Sequence, residues 1–117
     1  MNPNGNFLVY KSSAGSGKTY TLVKEYLSIA LGSSSPERYK NILAITFTNK
    51  AASEMKDRVT SYLKAFCILE NISGGEALMF YNLKNELSLT DSKLKERAFE
   101  MLQSILHNYS DFNITTI

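Results

Sequence analysis

Residues 7–19, FLVYKSSAGSGKT, join a short apolar run to a loop of small residues that ends in Gly17-Lys18-Thr19. The run from Phe7 to Tyr10 is rich in strand-forming side chains and is short, which predicts a buried β-strand. From Lys18 to Leu31, apolar residues recur at steps of three and four, which predicts an amphipathic helix. Gly32 is predicted to end this helix.

A glycine-containing loop between a strand and a helix is typical of a phosphate-binding loop, the P-loop or Walker A motif. Its glycines let the backbone amides point inward, and these amides form an anion site with the helix N-terminus. Lys18 would supply a charge to the terminal phosphates, and the hydroxyl of Thr19 would bind Mg²⁺. The consensus begins with glycine, whereas this chain has Ser12. The other interpretation is a glycine-rich turn with a solvated lysine. We expect nucleoside triphosphate binding by Ser13, Ala14, Gly15, Ser16, Gly17, Lys18 and Thr19.

A second apolar run, residues 42–47, does not alternate with polar residues, which favours a strand buried on both faces of a parallel sheet. A helix is predicted after it, with one apolar face formed by Ala52, Met55, Val59, Tyr62, Leu63 and Phe66. Thr46, Phe47 and Asn49 would lie at the carboxyl end of the strand, where parallel α/β sheets bind ligands.

Two interpretations of this strand end stay open. In one, Phe47 is exposed and stacks on a nucleic-acid base. In the other, Phe47 belongs to the core, Thr48 or Asn49 caps the helix, and the basic residues Lys50, Lys56 and Arg58 form a solvated face.

The remainder of the chain is predicted to be helical and to end in a third strand. Ser73 and Glu76 have the spacing of a capping box, with Phe80, Leu83 and Leu87 at helical steps behind them. Asp91 is a plausible N-cap of a last helix, whose apolar positions are Leu94, Ala98, Met101, Leu102, Ile105 and Tyr109. Residues 112–117, FNITTI, include four β-branched residues and predict the strand. This order of elements indicates an α/β fold with a right-handed crossover.

Composition supports one globular domain of 117 residues, with 44% hydrophobic and 21% charged residues. The net charge is +2, but residues 1–64 hold nine basic and four acidic residues, whereas residues 65–117 hold four basic and seven acidic. The basic half is therefore the part that could meet phosphates. One cysteine and one histidine exclude an internal disulfide and a metal site built from Cys and His. Neither a secretory signal nor a membrane span is evident, so we predict a cytoplasmic protein without a membrane partner.

The two motifs together, SAGSGKT at residues 13–19 and TFTNKAA at residues 46–52, resemble superfamily 1 DNA helicases of the UvrD/Rep type. The SSAG form of the first motif is most similar to the RecB/AddA branch of ATP-dependent exonucleases, such as the exonuclease V beta subunit. The resemblance implies ATP and Mg²⁺ as cofactors and catalytic roles for Lys18 and Thr19. It also implies single-stranded DNA contacts by Thr46, Phe47 and Asn49, and a position for Tyr20 beside the base.

Other parts of that family are not evident in this sequence, including the Asp-Glu pair and the arginine fingers. We therefore expect an N-terminal fragment of the first motor domain, an incomplete three-layer P-loop (RecA-like) fold. Its parts would be the P-loop at 12–19, the second motif at 42–52 and a helical insert at about 73–109.

The resemblance implies a parent protein that translocates on single-stranded DNA in repair or recombination, with a second helicase–nuclease chain for a partner. The fragment alone should hydrolyse no ATP and bind single-stranded DNA only at low salt. The alternatives are a small P-loop kinase or GTPase, or a nucleotide-binding module without turnover. Residues 49–52, NKAA, begin like a guanine-binding motif but lack its aspartate.

Overall fold

The computed structural model describes residues 6–9, 17–68 and 73–116, with side chains for residues 20–68 and 73–116. In this part of the chain, the strands are β1 (Asn6–Val9), β2 (Ile42–Thr46) and β3 (Ile114–Thr116). The α-helices are α1 (Gly17–Leu31), α2 (Asn49–Ile68), α3 (Gly74–Leu87) and α4 (Asp91–His107). Short 3-10 helices at Arg38–Asn41 and Tyr109–Asp111 precede β2 and β3.

The three strands form one parallel sheet in the order β1-β2-β3. Asn6 to Val9 pair with Ile42 to Ile45, and Ala44 to Thr46 pair with Ile114 to Thr116. The predicted α/β fold is confirmed at this level, as is a third strand near the end of the chain. Most of the described residues are nevertheless helical.

Helices α1 and α2 pack on the sheet, since α1 contacts β2 and α2 contacts β2 and β3, and helices α3 and α4 pack against α1 and α2. Burial along β2 alternates accordingly: Ile42, Ala44 and Thr46 are fully buried, whereas Leu43 and Ile45 are half-buried. The sequence predicted burial on both faces of this strand, whereas the face with Leu43 and Ile45 is only half-buried. The incomplete three-layer P-loop arrangement stays a prediction.

The core lies between the sheet and the helices, and its helical members have the predicted spacing of three and four residues. Phe66 of α2 meets Phe80 of α3 edge to face, with ring centroids 5.3 Å apart. Tyr39 was not predicted as a core residue, yet it is fully buried and its hydroxyl lies 2.9 Å from Oγ of Ser104. Fully or nearly fully buried positions include Val23, Tyr26, Leu27, Leu31, Met55, Val59, Leu63, Met79, Leu83, Leu94, Ala98, Met101 and Ile105.

The end of α1 agrees with the prediction. The amide of Gly32 donates to the carbonyl of Ser28 at 3.0 Å, and a Cβ at Gly32 would lie 2.7 Å from that same oxygen. A side chain at this position would therefore collide with the backbone, which explains the glycine.

The starts of α3 and α4 differ from the predictions. Ser73 precedes α3, but its side chain makes no capping hydrogen bond, so the predicted capping box is absent. Thr90, rather than Asp91, caps α4: its extended backbone lets its hydroxyl accept from the amide of Lys93 at 3.1 Å. Asp91 is the first helical residue, and α4 ends at His107, before Tyr109.

Candidate functional site

The carboxyl ends of the three strands define one edge of the sheet, here called the carboxyl edge. β1 ends at Val9, β2 at Thr46 and β3 at Thr116, and all three strands run parallel. The segment after β1 holds the predicted phosphate loop, and the segment after β2 holds Phe47 and Asn49. The strand ends that precede the two motifs therefore lie at the same edge of the sheet, as expected for parallel strands.

The phosphate-loop residues Ser13, Ala14, Gly15 and Ser16 lie outside the described residues. Gly17, Lys18 and Thr19 form the backbone of the first turn of α1, and their side chains are also outside what the structure describes. This turn contains no acidic residue. A helix N-terminus of this kind attracts anions, because its amides point outward and its dipole is positive there.

Thr46, a predicted DNA contact, is fully buried at the carboxyl edge. Its hydroxyl lies 2.9 Å from the carbonyl of Thr48 and 3.2 Å from the carbonyl of Thr115. The single hydroxyl hydrogen of Thr46 is therefore shared between these two carbonyls. This side chain joins the end of β2 to β3. A contact between Thr46 and DNA stays a prediction.

Thr48 and Asn49 form the start of α2. The hydroxyl of Thr48 accepts from the amide of Ala51 at 3.0 Å, so Thr48 is the N-cap of the helix. Asn49 is exposed, and its side-chain oxygen accepts a hydrogen bond from the hydroxyl of Thr116. The first turn of α2 holds no acidic residue and includes the exposed Lys50. The surface at this helix start is therefore suited to an anionic ligand.

Phe47 lies immediately after β2 and is 55% exposed. The interpretation that placed Phe47 in the core was therefore wrong. An exposed aromatic ring beside a helix start offers a flat apolar face, on which a nucleic-acid base could stack. Contact with DNA at Phe47 stays a prediction.

Lys56 departs from the solvated face that was the other interpretation of these basic residues. Its ammonium lies 5.1 Å from the ring centroid of Tyr109 and 5.9 Å from that of Phe112. These distances are typical of cation–π contacts, so Lys56 helps to pack α2 against the segment before β3.

The family model of the UvrD/REP helicase N-terminal domain matches residues 1–116. The chain belongs to this family. The UvrD/REP match covers both motifs and also the helical residues 73–109, for which the sequence offered no motif.

Relatives of this UvrD/REP chain include much longer proteins. An ATP-dependent helicase/nuclease subunit of Clostridium kluyveri is 37% identical over 97 residues, which are 80% of this chain and 8% of the relative. The RecBCD enzyme subunit RecB of Buchnera aphidicola is 29% identical over 119 residues, which are 94% of this chain and 10% of the relative. The chain thus spans about a tenth or less of the length of these proteins. No solved structure gives a significant match.

Tyr20 lies near the start of α1 and is half-buried. Its hydroxyl accepts a hydrogen bond from the side-chain amide of Asn82 in α3, at 2.9 Å. The ring is therefore held between elements of the UvrD/REP domain, and a contact with the nucleotide base stays a prediction. Sequence reasoning missed Asn82 and Thr116, because their partners lie 62 and 67 residues away along the chain.

Two further observations concern the described residues alone. No helix among them combines the length and the apolar character needed to cross a membrane. Within the same residues, no group of three or more His, Cys, Asp or Glu side chains lies together as a metal site would require. The binding of Mg²⁺ through Thr19 stays a prediction.

Proposed function

We propose that residues 1–117 are the nucleotide-binding part of an ATP-dependent DNA helicase/nuclease, whose motor translocates on single-stranded DNA in repair or recombination. Membership of the UvrD/REP family supports this proposal. The observation that carries it is the parallel pairing of β1 with β2, because this pairing brings the strand ends at Val9 and Thr46 to one edge. When the nucleotide and DNA sites lie at one edge of the sheet, a change at the nucleotide during ATP hydrolysis can alter the contacts with DNA.

In this proposal, residues 13–19 surround the phosphates of ATP. Lys18 stabilises the charge of the terminal phosphates, and Thr19 holds Mg²⁺ beside them. Tyr20 flanks the base. The absence of acidic residues from the first turn of α1 supports this assignment.

The DNA contacts in this proposal are Phe47 and Asn49. The exposed ring of Phe47 stacks on a base, and the exposed carboxamide of Asn49 contacts the backbone. The hydroxyl of Thr46 contacts the carbonyl of Thr48, which lies between Phe47 and Asn49 in the sequence, and the carbonyl of Thr115 in β3. Thr46 thereby fixes the segment that carries both DNA contacts.

The fold in this proposal is part of a RecA-like P-loop motor domain, with α3 and α4 as a helical insert. Residues 1–117 alone hydrolyse no ATP, because the sequence lacks the Asp-Glu pair that completes the metal site in this family. The remaining motor elements belong to the parent protein, which works in the cytoplasm with a second helicase–nuclease chain.

DNA-stimulated ATP hydrolysis by the full-length protein tests this function. Stacking on one aromatic ring contributes about 1–3 kcal/mol per base, so Phe47→Ala should raise the DNA concentration for half-maximal stimulation about 5- to 150-fold. ATP affinity without DNA should stay unchanged. Phe99→Ala is the matched control, since Phe99 on α4 is 50% exposed, close to the 55% of Phe47. An identical DNA response in the Phe47 variant, the Phe99 variant and the wild type would contradict the proposal.

A further inference from the structure

Thr116, at the end of β3, lies beside Asn49, at the start of α2, although 67 residues separate them along the chain. We infer that Thr116 is a positioning residue, which orients the carboxamide of Asn49 for contact with a DNA phosphate. This inference rests on the proposed function, because it needs Asn49 to contact DNA. Neither the motifs nor the family match assigns this role to Thr116.

The first argument is the hydrogen bond itself. The hydroxyl of Thr116 donates to the side-chain oxygen of Asn49. A carboxamide has one acceptor oxygen and one NH₂ group with two donors. Because the oxygen of the Asn49 carboxamide is bonded to Thr116, the NH₂ group of the same carboxamide is directed away from Thr116. Within residues 17–68 and 73–116, that NH₂ group has no further hydrogen-bond partner.

The second argument is chemical complementarity. The oxygens of a DNA phosphate only accept hydrogen bonds, so a contact with Asn49 must use its NH₂ group. A carboxamide that is free to rotate would present its oxygen to the phosphate for part of the time. Thr116 prevents this by holding the oxygen, and it also reduces the side-chain freedom that binding would remove.

The third argument is that Thr116 is itself well placed. It lies opposite Thr46 in the parallel pairing of β2 and β3 and is half-buried. The hydroxyl of Thr46 contacts the carbonyls of Thr48 and Thr115, which are the neighbours of Asn49 and Thr116. Hydrogen bonds from Thr46 and from Thr116 therefore join the start of α2 to the end of β3. The first fixes the backbone before Asn49, and the second fixes the side chain of Asn49.

The test measures the affinity of the full-length protein for a fluorescent single-stranded oligonucleotide at low salt. Thr116→Val keeps the side-chain shape and removes the hydroxyl, and it should weaken binding about three- to tenfold. Thr116→Ser keeps the hydroxyl and should bind within about twofold of the wild type. Thr115→Val is the matched control, because the exposed side chain of Thr115 belongs to the neighbouring residue of the same strand.

A double-mutant cycle with Asn49→Ala then separates positioning from an independent effect. Binding by Asn49→Ala/Thr116→Val should be no weaker than binding by Asn49→Ala alone. ATP affinity without DNA should be equal in all variants, and Thr116→Ala replaces the valine variant if valine disturbs ATP binding. Wild-type affinity in Thr116→Val, or losses that multiply in the double variant, would overturn the inference while Asn49 keeps its role. Wild-type affinity in Asn49→Ala would overturn both the inference and the proposed DNA contact.

Discussion

Val9 of β1 lies directly opposite Ile45 of β2 in a parallel pairing. β1 ends at Val9 and is followed in the sequence by the predicted phosphate loop. β2 ends one residue beyond Ile45, at Thr46, and is followed by Phe47. The strand ends that precede the two motifs of the UvrD/REP domain therefore lie at the same edge of the sheet. The proposed coupling between nucleotide and DNA depends on this placement.

Two adjacent residues of α4 should differ sharply in their contribution to stability. Ile105 is fully buried, whereas Leu106 is 63% exposed. Ile105→Ala should lower the free energy of unfolding by about 2–5 kcal/mol, because it removes buried methyl groups and leaves a cavity. Leu106→Ala should change it by no more than about 0.5 kcal/mol. Urea unfolding measures both, and equal losses would contradict the orientation of α4.

The two helix starts that differ from the sequence predictions supply a second test. Thr90→Ala should lower the free energy of unfolding by about 1 kcal/mol, because the hydroxyl of Thr90 caps α4. Ser73→Ala should be nearly neutral, since the side chain of Ser73 makes no capping hydrogen bond. Urea unfolding of the two variants distinguishes these outcomes. If Ser73→Ala lowered the free energy of unfolding more than Thr90→Ala, the capping box predicted from the sequence would be supported and the observed caps contradicted.

The rate at which the Cys67 thiol is alkylated should depend on its burial and on the nearby charge of Lys95. Cys67 lines an open cavity of about 300 Å³ together with Lys95 and Phe99. Burial raises the pKa of the Cys67 thiol, and the charge of Lys95 lowers this pKa by a smaller amount. Because the thiolate is the nucleophile, alkylation at neutral pH should be slower than in the unfolded chain. The rate should rise about tenfold per pH unit below the pKa.

Mass spectrometry after iodoacetamide treatment measures this rate from neutral to alkaline pH. Lys95→Gln removes the positive charge, so it should raise the pKa of Cys67 further and slow alkylation at neutral pH. The pKa of the Cys67 thiol is higher in the folded than in the unfolded chain, so protonation of this thiol favours the folded state. Its contribution to the free energy of unfolding is therefore fully present below the ordinary pKa. The contribution is lost as pH rises through the raised pKa. Equal alkylation rates in the folded and urea-unfolded chain would contradict the burial of Cys67.

The residues that were predictable from the sequence are those with local signals. The apolar spacing of α1, α2 and α4 reflects burial of one helix face, and the apolar run at β2 reflects burial of a short strand. The apolar run at β1 predicted a strand, which the parallel pairing with β2 confirms. The end of α1 at Gly32 was predictable because glycine commonly follows the last residue of a helix. Phe47 was ambiguous, because an aromatic residue at the end of an apolar run suits both a core and a surface position.

The unpredicted features depend on residues that are distant along the chain. Thr46 resembled a ligand contact, but its burial and its bond to Thr115 arise only when β3 pairs with β2. The burial of Tyr39 depends on α4, through Ser104. The choice of Thr90 over Asp91 as N-cap was decided by backbone geometry, since both residue types are suitable caps.

The most direct test of the central claim is the binding of ATP with Mg²⁺, measured by calorimetry on the wild type and on Lys18→Ala. Lys24→Ala is the matched control: Lys24 lies on the same helix and forms an ion pair with Glu86 at 3.3 Å. A hydrogen bond to a charged group contributes about 1.5–3 kcal/mol, so Lys18→Ala should weaken ATP binding about 10- to 150-fold. Lys24→Ala should bind ATP like the wild type. Equal ATP affinity in the wild type and Lys18→Ala would contradict the assignment of residues 13–19 as the phosphate loop.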